Sequence, residues 1–405
     1  MSALLWPGDD RAGDLMSDVA VLAAMVEVEQ AWLSALVETG IAPASAKADL
    51  RGLVTGDDLP AIAAAAEAGG NPVIPLVALL RDRSGSTWVH RGLTSQDVVD
   101  SALVLAARRA LGRVTDQLRA QAQTLVYLVD EHRPTPMVAR TLTQHAVPTT
   151  FGLKAAVWLT SVLDAYDDVA ALAYPLQLGG AAGTHAALVE LGGPEAARAC
   201  VAETARTLGL APSLPWHTTR TAVTRIGDAA VRCTDAWGRI AGDVLVLARP
   251  EIGELAEGAG GGSSTMPHKA NPVLSTLVRR AALTTPQLAA TLHLAAAQQV
   301  DERADGAWHA EWETLATLLR RTAVAGGQTS DLLAGLRVRG DRMWDTLKAA
   351  RSDMLAEQRT MAALVDREPA ESYLGLTDDL VDAVLARAYA TLDRTHDRTD
   401  QGELP

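Results

Sequence analysis

Apolar residues recur along this chain at alternating steps of four and three, over runs too long for an ordinary strand. From Phe151 the series is Ala155, Trp158, Val162, Ala165, Val169 and Leu172; from Ile226 it is Ala230, Cys233, Trp237, Ile240, Val244 and Leu247. A shorter series uses Trp308, Trp312, Leu315 and Leu319. On an α-helix such residues form one stripe, and a stripe held over several turns is a coiled-coil-like seam. The expectation is an all-α chain with helices of roughly 25 residues in a long bundle. Runs of alternating β-branched residues bounded by turns are missing, so no parallel sheet is expected. Trp158, Cys233 and Trp237 lie on the seams, which assigns them to packing before chemistry.

With 405 residues, the chain exceeds what one core usually supports. Its 48% apolar content contains a single phenylalanine and is mostly Ala, Leu and Val, which suits closely packed helices. The expected partition is an N-terminal helical domain over 1–93, a central long-helix bundle over 94–336 and a short C-terminal helical domain over 337–390. Residues 391–405 are polar and charged, and a frayed tail is expected there. A net charge of −13 without a basic stripe argues against nucleic acid as a partner, but not against a small anion. The two cysteines lie far apart and the nine histidines show no zinc-type pairing, so no metal is expected. No signal-peptide pattern opens the chain and no apolar run approaches about 18 residues, which leads to the expectation of a soluble, cytoplasmic protein without membrane contact. Wide Ala/Leu faces on long helices point to oligomerisation through the bundle.

Chemistry concentrates in three segments. The stretch Gly258-Ala259-Gly260-Gly261-Gly262-Ser263-Ser264-Thr265-Met266-Pro267-His268-Lys269-Ala270-Asn271-Pro272 joins a flexible backbone to hydroxyls, a cation and an amide, a combination suited to closing over a small anion. It is neither a Walker A loop, lacking a closing Gly-Lys-Ser/Thr, nor a dinucleotide loop, lacking a preceding strand. The second segment is Trp88-Val89-His90-Arg91-Gly92-Leu93-Thr94-Ser95-Gln96-Asp97. Thr94 or Ser95 is a plausible N-cap for the helix that follows, and free N–H groups at that end can hold a carboxylate. His90 can donate to the same anion or sit as a satisfied, partly buried histidine. In the third segment Arg140, Thr141, Gln144 and His145 cluster ahead of a long helix expected near Thr149, and His145 is a natural acid or base. Two weaker clusters are Trp216-His217-Thr218-Thr219-Arg220, which opens a helix, and Asp301-Glu302-Arg303 ahead of Trp308-His309-Ala310-Glu311. A structural turn is the stronger reading of Gln177-Leu178-Gly179-Gly180-Ala181-Ala182-Gly183-Thr184.

The run Gly262 to Pro272 resembles the signature of the fumarase/aspartase superfamily, which includes argininosuccinate and adenylosuccinate lyases. Thr94-Ser95-Gln96-Asp97 and the segment from Arg140 to Lys154 stand in the matching order. Within the superfamily the chain is similar to the bacterial 3-carboxy-cis,cis-muconate cycloisomerases through Gly70 to Leu76, Pro148 to Lys154, Leu178 to Thr184, Leu214 to Thr218 and Gly306 to Trp312. The resemblance implies a three-domain all-α homotetramer with each active site shared among subunits, a small polycarboxylate as substrate, and no cofactor. It implies chemistry beside a carboxylate through an aci-carboxylate, with donors and cations stabilising the dianion. Ser263 is then the proton carrier, helped by Lys269, and Lys269 and Asn271 hold the activated carboxylate. Thr94, Ser95 and Gln96 hold another, and Arg303 and His90 complete the anionic cup. The lyases' usual histidine after the second-motif threonine is replaced here by Leu142. His145, three residues on and expected on the same helical face, can take part of its role. The subgroup's Gln-Arg-Asp after Trp-His-Thr appears as Thr219-Arg220-Thr221, and the last helical domain is trimmed after Met361. The expected activity is lactonisation of a muconate tricarboxylate, with elimination from a substituted succinate to give fumarate as the alternative. A catalytically silent helical oligomer is the third reading.

Overall fold

The structure is a computed structural model. It describes residues 3–258, 261–262, 266, 270–303 and 305–400, with side chains left aside at 3, 351–354 and 394–400. The elements in chain order are α1 (Asp18–Glu38), α2 (Leu59–Gly69), α3 (Val73–Ser84), α4 (Ser95–Glu131), β1 (Pro136–Thr141), β2 (Gln144–Thr150), α5 (Phe151–Ala170), α6 (Ala186–Leu208) and α7 (Thr221–Leu247). They continue with β3 (Leu255–Ala256), α8 (Val273–Ala297), α9 (Gly306–Ala334), β4 (Arg337–Val338), α10 (Gly340–Met354), α11 (Ala356–Leu364) and α12 (Thr377–Asp400). The fold is all-α, as the apolar spacing predicts. It divides into two compact units, Met1–Arg113 with Ala171–Val231 and Thr285–Val324, and Val114–Ala170 with Arg232–Thr284 and Ala325–Pro405. Because the divisions fall inside α4, α7, α8 and α9, each of these helices supplies residues to both units.

The seams lie where the spacing puts them. Trp158, Ile226, Ala230, Cys233, Trp237, Ile240 and Val244 are all fully buried. In the second unit the Trp237 indole donates to Gln121 (2.7 Å), whose amide donates to the Gly326 carbonyl (2.9 Å). That chain satisfies the polar edge of a large ring inside the core. A Cβ on Gly326 would stand 2.9 Å from the Trp237 ring, so glycine sets how closely α9 approaches α7. Phe151 packs edge-on against Trp158, with ring centroids 5.6 Å apart, and the Trp158 indole donates to Asp243 (2.8 Å).

In the first unit α1 is long and apolar enough to cross a membrane, with a mean hydropathy of 1.5. Its apolar residues are instead in the core: Trp32, Leu33, Ala35 and Leu36 are at most 1% exposed. The helix starts where the Ser17 hydroxyl accepts the Ala20 N–H (3.1 Å), an N-cap that satisfies one of its free donors. The Gly192-Gly193-Pro194 segment is a break inside α6. Gly193 adopts φ 80°, ψ 170° there, and Pro194 restarts the helix.

Two expectations are overturned. The segment holding Arg140, Thr141, Gln144 and His145 does lead into a long helix, α5 at Phe151, but it is a β-hairpin and not a helical stretch. Arg140 pairs with His145 and Thr141 with Gln144 across it, with a bulge between Val138 and Arg140. Leu142 and Thr143 are the two turn residues, so His145 shares no helical face with Leu142. The mixed polar and apolar composition hid the strands, and no turn glycine announced them. At the other end of the chain α12 continues to Asp400, through most of the segment expected to fray. Arg387, within this helix, pairs with Asp164 (2.6 Å) and Asp167 (2.8 Å) of α5.

The hairpin turn carries a testable strain. Leu142 and Thr143 both have positive φ (47° and 70°), the signature of a type I′ turn, which favours Asn-Gly. Replacing Leu142-Thr143 by Asn-Gly should stabilise the folded protein by about 1 kcal/mol. Chemical denaturation of both forms measures the change, and a destabilised variant would contradict the turn assignment.

Candidate active site

In the first unit the Thr94-to-Asp97 motif forms the N-terminus of α4. Asp97, at the third helical position, reaches back to accept the Thr94 N–H at 3.0 Å. The same carboxylate is fully buried and accepts Gln177 Nε2 (3.1 Å), His217 Nε2 (3.0 Å) and the Gly180 N–H (2.9 Å). Four donors on one carboxylate satisfy its lone pairs and tie two chain segments, the Gln177–Gly180 turn and the one holding His217, to the start of α4. The turn from Gln177 to Thr184 therefore does more than connect helices.

One helical turn further on, Asp100 is the partner of Arg220. The guanidinium donates to both Asp100 oxygens (2.7 and 2.9 Å) and, on its other edge, to Glu311 (2.5 Å). The Trp308 indole adds a bond to Asp100 (2.9 Å), and Arg220 stacks over the Trp216 ring at 4.8 Å. Arg220 and both carboxylates are 1% exposed at the side chain. Burial pulls the guanidinium toward losing its proton, but Asp100 and Glu311 override this and hold it more firmly charged. Burial pushes the Glu311 carboxyl up, against the opposing effect of Arg220. His185, which begins α6 at φ 52°, is pushed toward its neutral form chiefly by burial, with Asp97 opposing and His217 adding.

These contacts reassign several expected site residues. Gln96 is fully buried, its amide donating to Asp100 (3.2 Å) and to the His217 carbonyl (2.8 Å). It belongs to the support behind the helix end. Thr94 is buried and Ser95 half-buried, both at the first positions of α4. His90 is half-buried with a left-handed backbone (φ 63°), and its Nδ1 lies 2.6 Å from the fully buried Glu29. Arg303 is exposed. Thr219 and Thr221, the two departures from the subgroup pattern, are both exposed and flank the buried arginine.

The remaining site residues lie in the second unit. Arg140 makes a two-pronged ion pair with fully buried Glu254 (2.6 and 3.0 Å), so it fastens the hairpin. Thr141, Gln144 and His145 are exposed on the same hairpin, as is Leu142, at 96%. Ser263 and Lys269 lie outside the described residues. The base of their loop is well defined. Gly261 and Asn271 exchange two backbone hydrogen bonds of 2.9 Å. Glu257 caps α8, accepting the Ser275 N–H (2.7 Å), the Ser275 hydroxyl (2.6 Å) and the Leu274 N–H (3.1 Å). The loop glycines at 258 and 261 also answer to packing. A Cβ would stand 2.4 Å from the Gly335 carbonyl oxygen at the first and 2.1 Å from Val273 at the second. Among the described residues no three His, Cys, Asp or Glu side chains form a group able to hold a metal.

Sequence reasoning missed Glu29, Asp100, Glu254 and Glu257, whose partners lie in other segments of the chain, and it gave Gln177 only a place in a turn. It also treated His217, Arg220 and Glu311 as weak candidates, although their motifs were legible. Only the Asp97 position, three residues after an N-cap, carries a local signal of its role.

A family model described as "Lyase" matches residues 62–285. The chain belongs to this lyase family, within the fumarase/aspartase superfamily, and is an enzyme of that class. It is 45% identical over 360 residues to a nitrosuccinate lyase of Streptomyces davaonensis, covering 85% of this chain and 76% of that protein. A 3-carboxy-cis,cis-muconate cycloisomerase of Pseudomonas aeruginosa is 39% identical over 363 residues, covering 86% of this chain and 78% of that protein. The crystal structure of the 3-carboxy-cis,cis-muconate lactonizing enzyme from Pseudomonas putida superposes with a TM-score of 0.81 at 29% identity, covering 94% of this chain and 97% of that one.

Removing Arg220 tests the buried network. Arg220→Ala leaves Asp100 and Glu311 buried together without a cation and should destabilise the protein by about 3–5 kcal/mol. Urea unfolding at neutral pH measures the loss, and a change under about 1 kcal/mol would show that the network carries little stability.

Proposed function

We propose that this enzyme is a β-eliminating lyase acting on nitrosuccinate, releasing fumarate and nitrite. The observation that carries this reading is the 45% identity to nitrosuccinate lyase over 85% of the chain, against 39% for the cycloisomerase from Pseudomonas aeruginosa. The two exposed threonines, Thr219 and Thr221, where the cycloisomerase pattern has glutamine and aspartate, agree with it. The muconate-lactonising activity first expected from the motifs is the second reading, supported by the superposition on a solved lactonizing enzyme.

The chemistry balances without an external reagent. A base takes the proton from the carbon beside one carboxylate of the dianionic substrate. The electron pair is held in that carboxylate as an aci-dianion, then forms the double bond as the C–N bond breaks and nitrite leaves with its pair. Fumarate remains. Nitrite is a stable anion and needs no proton to depart.

Ser263 is the proposed proton carrier, with Lys269 supporting its alkoxide and, together with Asn271, holding the aci-carboxylate. The Gly261–Asn271 bridge and the Glu257 cap support this role because they hang the loop from a fixed base. The second substrate carboxylate falls to the start of α4. The start of a 37-residue helix brings the positive end of its dipole there, beside the Thr94 and Ser95 hydroxyls and the His90 imidazole. Gln96 acts from behind, through Asp100. Arg303 contributes a cation when substrate is bound. Thr141, Gln144 and His145 fit a role toward another subunit, since their hairpin tip is exposed within this chain. The working assembly is then a soluble cytoplasmic homotetramer, and no cofactor enters the cycle.

Nitrite and fumarate release from nitrosuccinate, measured beside loss of the muconate chromophore, separates the two readings. The proposal expects the first activity to dominate; turnover of the muconate with nitrosuccinate untouched would reverse the assignment. Ser263→Ala should lower turnover by roughly 10²–10⁴-fold with unchanged helix content by circular dichroism. Near-normal turnover in that variant would remove Ser263 from the proton transfer. Lys269→Met should weaken inhibition by simple dicarboxylates, read as a raised inhibition constant for succinate; an unchanged constant would remove Lys269 from carboxylate binding.

A further inference from the structure

Glu29 belongs to no motif of the sequence, yet its carboxylate is fully buried on α1 and lies 2.6 Å from Nδ1 of His90. Burying a charge of that kind is costly unless something uses it. Its second oxygen, Oε2, has no hydrogen-bond partner among the described residues. The histidine opposite is held with equal care. The Trp32 indole donates to the Arg91 carbonyl at 2.7 Å, fixing the peptide on one side. Arg81 donates twice to the Val89 carbonyl, at 2.8 and 3.2 Å, fixing the other. Between these two clamps His90 adopts φ 63°, a conformation a non-glycine residue keeps only when its surroundings impose it. An ionised carboxylate only accepts hydrogen bonds, and a ring bonded to one carries its proton on the bonded nitrogen. The imidazole is 17% exposed at the side chain, and Nε2 is its other nitrogen.

We propose that Glu29 is a positioning residue that fixes His90 in the Nδ1–H form and turns Nε2 toward the substrate carboxylate held at the start of α4. This rests on the proposed succinate-lyase reading for the identity of the ligand, but not for the geometry. Thr94 is four positions on from His90, so the two lie within about 14 Å of each other along the chain. Free histidine prefers its proton on Nε2, so the buried carboxylate reverses the ring's default. The ring can then receive a proton at Nε2 while Glu29 balances the charge, giving a cationic donor for one end of a dianion. The same arrangement of carboxylate behind imidazole sets tautomer and orientation wherever histidine serves as a ligand or base.

Imidazole ¹⁵N shifts test this in the full-length protein without substrate, with the His90 signals identified by their loss in His90→Gln. At a pH where the ring is neutral, the wild type should show His90 protonated at Nδ1. Glu29→Met, which removes the acceptor, should move the proton to Nε2. A wild-type ring protonated at Nε2 overturns the proposal, as does a folded Glu29→Met protein that keeps Nδ1–H. If Glu29→Met fails to fold, the wild-type tautomer alone decides. Kinetics give a second arm: Glu29→Met and His90→Gln should each lower kcat/KM by about tenfold, with the double variant no worse than His90→Gln. Additive losses would mean that Glu29 acts only on stability and would overturn its positioning role. Should the protein prove to use the muconate instead, the tautomer result stands and the cycle is run on that substrate.

Discussion

In the first unit the start of α4 is anchored by one buried ion cluster. Arg220 lies between Asp100 and Glu311, out of water, and its two edges are both used. Removing a guanidinium from water is so costly that only near-complete hydrogen bonding offsets it. Once met, that demand becomes a constraint on geometry. Asp100 sits one turn along α4 from Thr94 and Ser95, so an arginine at the start of α7 and a glutamate on α9 fix where the open end of α4 stands. Asp97 adds a second fastening from the Gln177–Gly180 turn and His217. A helix end proposed to bind an anion is useful only if it is already in place when the anion arrives, because binding energy spent on ordering it is lost.

The second unit solves the same problem with different parts. Glu254 fastens the hairpin through Arg140, and Glu257 caps α8 at the foot of the Ser263 loop. Three residues apart in sequence, these two buried acids hold two separate segments of expected site residues. Residues that resemble catalytic ones by motif thus divide by what they touch. Gln96 and Arg140 spend their polar atoms on buried acids and carbonyls, while Ser95 and His90 stay half-buried and Thr94 is buried at the helix end.

How far the sequence carried this varies with the range of the interaction. Helix seams are local, and the spacing of Trp158, Cys233 and Trp237 announced both their helices and their burial. The N-cap at Thr94 is local too, and was legible. The hairpin was not, because Leu142-Thr143 adopts a turn that Asn-Gly would have signalled and these residues do not. The partners of Asp97, Asp100 and Glu29 from other segments were invisible for another reason: they lie from 61 to 208 residues away, and no pattern within one segment encodes them. Motif resemblance identified the superfamily from Gly262 to Pro272, but the motif cannot distinguish a nitro leaving group from a lactone closure, since both pass through the same stabilised carboxylate.

The central claim is that the prepared end of α4 receives one carboxylate of a small dianion, with His90 Nε2 beside it. A crystal structure of the protein with succinate bound tests this most directly. The account requires a carboxylate within hydrogen-bond distance of the Thr94 or Ser95 hydroxyls, the first N–H groups of α4 and His90 Nε2, with Glu29 still on Nδ1. Succinate bound away from these groups, with the α4 terminus holding only water, would contradict it.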